Sequence, residues 1–71
     1  TTISYTLDQP NYVKLEVFSA TGQLVEVLES TYLAEGTHQS VFNAGDLASG
    51  VYFYILRIDG NALIRKMTIL K

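Results

Sequence analysis

No cysteine and no tryptophan occur among the 71 residues, and proline, histidine and methionine appear once each. Without cysteine no disulfide can staple the fold and no thiolate can hold zinc. The absence leaves the redox compartment open, compatible with either side of a membrane. A chain this short buries only about 60% of its unfolded surface, so an independent domain must rest on a well-packed apolar core or on a neighbour. Charge is scarce too: 17% of residues are charged, the net charge is −2 and the pI is near 5.0. Only Arg65 and Lys66 stand side by side, which is not the clustered cationic footprint that nucleic acid requires. No apolar run reaches the roughly 20 residues of a transmembrane helix, and no charged-then-apolar leader opens the chain. Were the protein exported, its amino-terminal signal is expected upstream of Thr1.

What the chain does have is 48% hydrophobic residues, too many for a disordered tail, and they alternate. Ile3, Tyr5 and Leu7 are set against Thr2, Ser4 and Thr6, the pattern of a half-buried strand. Pro10 and Asn11 interrupt it. Val13, Leu15 and Val17 then alternate with Tyr12, Lys14 and Glu16, again one apolar and one wet face. Ser19 to Gly22 reads as a turn, and Gln23 to Glu29 should return antiparallel. Ser30 to Gly36 is open between a loop and a short edge strand. Beyond Gly36, His38, Ser40 and Phe42 should line one face of a fourth strand. In "NAGDLASG", Asn43 to Gly50, Leu47 alone among small turn formers is expected to plug into the core.

Val51 to Ile58 holds aromatic and branched side chains with one arginine, Arg57. A strand apolar on both faces should be central, with Tyr52, Tyr54, Leu56 and Ile58 on one face and Val51, Phe53 and Ile55 on the other. Asp59 and Gly60 form a strong hairpin signal before a last strand from Ala62 to Leu70. Six or seven short strands without helical periodicity predict an all-β, antiparallel, immunoglobulin-like β-sandwich; an open barrel is the alternative. Only one face of each sheet meets the core of a sandwich. The stripe Val51, Phe53, Ile55 must therefore be covered by another segment or form a contact surface.

Chemistry is poorly represented. His38 is the only imidazole, so zinc would need scattered carboxylates. A triad built from His38 and Ser40 lacks a strained nucleophile turn. Glu26 with Glu29, or Asp46 with Asp59, fall in hairpins and loops where solvated carboxylates are ordinary, and a glycosidase pair would need a cleft that so small a domain rarely has. Gly45, Gly50 and Gly60 open no helix and form no phosphate cradle. No catalytic, metal-binding or cofactor-binding residue is expected. Tyr12, Tyr32 and Phe53 remain as a possible sugar-stacking platform, weakened by the lack of tryptophan. The final "RKMTILK", Arg65 to Lys71, reads either as an edge strand guarded by lysines or as a strand read by a partner.

Four segments carry a resemblance that the chemistry does not: "TTISYTL" (Thr1 to Leu7), "VKLEVFSATGQLV" (Val13 to Val25), "AEGTHQSVFNAGDLASGVYFY" (Ala34 to Tyr54) and "KMTILK" (Lys66 to Lys71). Together, in this order and spacing, they resemble the type A carboxyl-terminal sorting domains of the type IX secretion system of Bacteroidota and relatives. The resemblance implies an immunoglobulin-like sandwich, spanning residues 1–71 as one domain at the end of a larger cargo protein. It implies export through an outer-membrane translocon to the surface or medium, removal by a sortase-like peptidase, and frequent attachment of the cargo to lipopolysaccharide. Carried onto this chain, the family's recognition residues correspond to Gly50, Lys66, Met67 and Lys71, and its turn glycines to Gly22 and Gly36.

Two departures stand out. The family's proline and asparagine motif ahead of the first strand is absent, and Ile55 stands where relatives often carry a polar or basic residue, which makes the outer stripe unusually apolar. A similar pattern occurs in the immunoglobulin-like domain of flagellar hook-capping proteins, an assembly module; the terminal "KMTILK" favours the sorting domain. The alternative function is an immunoglobulin-like module that anchors a parent protein to carbohydrate or to a neighbouring domain.

Overall fold

The computed structural model describes residues 2–43, 45 and 47–70. Within them run six strands: β1 (Thr2–Leu7), β2 (Asn11–Ser19), β3 (Leu24–Leu33), β4 (Gly36–Val41), β5 (Gly50–Ile58) and β6 (Asn61–Ile69). They form two antiparallel sheets, β1-β4 and β3-β2-β5-β6, packed as a sandwich.

Local chemistry makes the turns. The Gly22 N–H donates to the Ser19 carbonyl at 3.0 Å and the Ser19 N–H to the Gln23 carbonyl at 2.9 Å. With Gly22 at φ 90°, this is a tight turn followed by a left-handed residue, which closes the β2–β3 hairpin. Asp59 and Gly60, at φ 49° and 78°, both take the left-handed conformation of a two-residue hairpin loop. That turn sets the register of β5 against β6 from Ile58 opposite Asn61 outward.

Strand β2 begins at Asn11, paired with Leu33, and of the two readings open for Ser30 to Gly36 the edge strand holds as far as Leu33, as a continuation of β3. Extending the ladder keeps backbone groups paired, and Thr31 and Tyr32 are good strand formers. Register shifts between Leu15 and Glu16 and between Val17 and Phe18 explain how β3 is apolar on both sides. Val25 and Leu28 pack against the core, while Leu24 and Val27 lie exposed.

The core has two adjoining clusters. Ile3, Tyr5 and Leu7 of β1 close on Val13, Leu15 and Leu56, and Phe42, just past β4, closes on Val17, Tyr52 and Ile69. Leu28 and Tyr54 pack against both. Leu47 packs on the second cluster from its loop, as its isolation among turn residues predicts. The Tyr52 hydroxyl donates to the Ala48 carbonyl at 2.9 Å, pinning the loop to the start of β5 in the manner of a tyrosine corner. A two-stranded sheet cannot cover four strands, so β6 stays mostly exposed; Leu63, on its inner face opposite Leu56, keeps 45% of its surface in water.

Candidate recognition surface

Strand β5 lies between β2 and β6, the central place predicted for it. Tyr52 and Leu56 are buried on its inner side, and Val51, Phe53 and Ile55 on its outer side are half-buried. Residues directly opposite across an antiparallel pair share a face, so the register assembles the outer surface in rows. Leu24, Phe18, Phe53 and Lys66 make one row, and Val27, Glu16, Ile55 and Ile64 the next. Lys14 and Arg57 face each other in the row beyond.

Glu16 is the unexpected member. Alternation places it on a wet face, yet it is only 8% exposed, because Ile55 and Val27 flank it and two long cationic side chains fold over it. Its carboxylate oxygens lie 3.8 Å from the Lys14 ammonium and 3.7 Å from the Arg57 Nε. A carboxylate in an apolar surround is tolerated where cations face it. Between Phe18, Phe53, Ile55 and Ile64 the surface forms a shallow open concavity of about 450 Å³.

The residues implied by resemblance do not come together in one place. Lys66 stands beside Phe53 on the outer face. Met67 is opposite Tyr52 and packs on the second core cluster, so its contacts are structural. Gly50 begins β5 opposite Ile69, with φ 155° and nothing within 4 Å of where a Cβ would stand; glycine there supplies backbone conformation rather than room. Lys71 lies outside the described residues, as does Asp46. Phe18, Ile64, Leu24 and Val27 join the surface although the sequence pointed there only to the stripe of β5 and, on β6, to Lys66. Counting outward from the Asp59-Gly60 turn would have placed Ile64 and Lys66; the bulges hid the β3 members.

The remaining chemical candidates are occupied or dispersed. His38 Nε2 lies 2.7 Å from the Ala34 carbonyl, so that nitrogen carries the proton and donates. Its ring rests 5.9 Å from that of Tyr5. Among the described residues no three His, Asp or Glu side chains gather as metal ligands. Tyr12 and Tyr32 meet edge to face at 6.4 Å, and the Tyr12 hydroxyl is 2.6 Å from the Ser30 hydroxyl. Phe53 pairs with Phe18, about 20 Å along the strand from Tyr12 at 3.3 Å per residue. The three rings therefore offer no single sugar-stacking platform.

Comparison with known families decides between the remaining readings: the family model described as secretion system C-terminal sorting domain matches residues 1–70. The chain belongs to the type IX secretion C-terminal sorting domain family. Neither the curated proteins nor the solved structures gave a match. As a sorting domain of this family the chain is a carboxyl-terminal signal for type IX secretion. Such a signal directs export through the outer membrane to the cell surface or beyond. It engages the type IX machinery on behalf of cargo that lies amino-terminal to it.

Proposed function

We propose that the sorting domain is read as a folded object by the outer-membrane translocon, through edge strand β6 and the outer stripe Val51, Phe53 and Ile55, with Gly50, Lys66, Met67 and Lys71 as the recognition residues that the family resemblance implies. The domain ends a larger cargo protein, a sortase-like peptidase removes it after passage, and it performs no catalysis of its own. The observation that carries this reading is the family match over residues 1–70, which spans the whole sandwich rather than a short peptide within it. A free strand edge supports it further, since unpaired backbone groups offer a partner a template for strand addition. The reading is tested with a secreted fluorescent reporter carrying residues 1–71 at its carboxyl end, beside the same reporter lacking Lys66 to Lys71. Surface delivery of the first and periplasmic retention of the second are expected; full export of the truncated reporter contradicts recognition through β6.

A further inference from the structure

We infer that the outer face of the four-stranded sheet docks a protein surface with an apolar centre and carboxylates around it. This rests on the sorting reading and adds the chemistry of the partner. Apolar side chains cross all four strands, with Leu24, Phe18 and Phe53 in one row and Val27, Ile55 and Ile64 in the next. Ile64 is 62% exposed and Leu24 53%, so the apolar face is open to water at both edge strands, with Phe18, Phe53 and Ile55 half-buried between them.

The charges on this face run against those of the molecule. Lys14, Arg57 and Lys66, three cations against the carboxylate of Glu16 and that of Asp59, which borders Lys14 and Arg57 at the turn, leave the face at +1 while the chain carries −2. Glu16 is sunk between two of them, so an approaching surface meets ammonium and guanidinium groups around an apolar middle. Carboxylates opposite these cations would steer approach and fix register. A second copy of the domain would instead set the same net-positive face against itself. A lipid surface fits no better, because interfacial binders sink an apolar face about 5–10 Å into the bilayer, whereas Val51, Phe53 and Ile55 lie half-buried and flush with the sheet. A flat apolar sheet face suits another protein layer packed about 10 Å away.

The test uses Lys66→Glu, Ile64→Asp and Lys66→Arg in the sorting domain on an exported reporter. Both positions are exposed, and thermal melts of the purified proteins within a few degrees of wild type establish that each variant folds. Lys66→Glu and Ile64→Asp should each lower surface reporter about tenfold, the scale of one lost hot-spot contact, while Lys66→Arg exports as wild type. Wild-type export by both disruptive variants overturns the docking face yet leaves the sorting reading intact. A wild-type reporter that fails to leave the periplasm overturns the sorting reading itself. Equal loss with Lys66→Arg, or binding of the purified domain to anionic phosphatidylglycerol vesicles that Lys66→Glu abolishes, also contradicts a carboxylate-bearing protein partner.

Discussion

Tyr5 carries the one buried side-chain oxygen without a hydrogen-bond partner among the described residues. Removing a desolvated, unpaired hydroxyl while keeping the ring should relieve a penalty of about 1–3 kcal/mol. Tyr5→Phe is accordingly expected to be at least as stable as wild type and to raise the urea midpoint; a clear loss of stability would mean that the hydroxyl is bonded in solution. Neighbouring aromatics on β5 differ in the opposite sense. Tyr52 is 8% exposed and pins Ala48, so Tyr52→Ala should cost on the order of 3 kcal/mol. Phe53→Ala, on the half-buried outer face, should cost much less in the isolated domain. Equal large losses in urea titrations would make the outer stripe part of the core. This inward and outward split was legible from alternation alone, because a strand's side chains change face at every residue. The burial of Glu16 was not, since it depends on Arg57 and Ile55, which lie about forty residues away and reach it only through pairing.

At the scale of elements, β2 and β5 are central while β3 and β6 are edges. Val13, Leu15 and Val17 of β2 are fully buried, whereas most of β6 faces water on both sides. Local opening follows burial and edge position, so amide hydrogen exchange should be slowest in β2 and β5 and markedly faster in β6. Comparable protection in β6 would require its outer and inner faces to be covered in the free domain, which conflicts with its proposed role as the exposed, readable strand. The hairpins were visible in sequence because each depends on two or three adjacent residues, Ser19 to Gly22 and Asp59-Gly60. The division into two strands over four was not, because β1 meets β4 across about thirty to forty residues, and alternation assigns faces without naming partners. The extension of β3 to Leu33 stayed open for a related reason: Ser30 to Leu33 is fixed as strand by its pairing with Lys14 to Asn11.

For the whole molecule, the thin core and the absence of disulfides place recognition and stability in the same few strands. One face of β5 closes the core and the other carries the stripe proposed to meet the translocon, so β5 couples folding to display. A domain of about 71 residues with a two-stranded lid has little stability to spare. Destabilising core variants should therefore lose export along with the fold, whereas outer-face variants lose export alone. The family was legible in the order and spacing of four short segments although none of its implied residues forms a chemical site, which suits a domain whose product is a shape. The most direct test is localisation of a signal-peptide-bearing fluorescent reporter fused to residues 1–71, compared between a bacterium with an intact type IX system and a translocon-deficient strain. Surface or extracellular reporter in the intact strain only is the predicted result. Periplasmic retention in both strains, with the fused domain shown to be folded, would contradict the claim that this sandwich is itself the sorting signal.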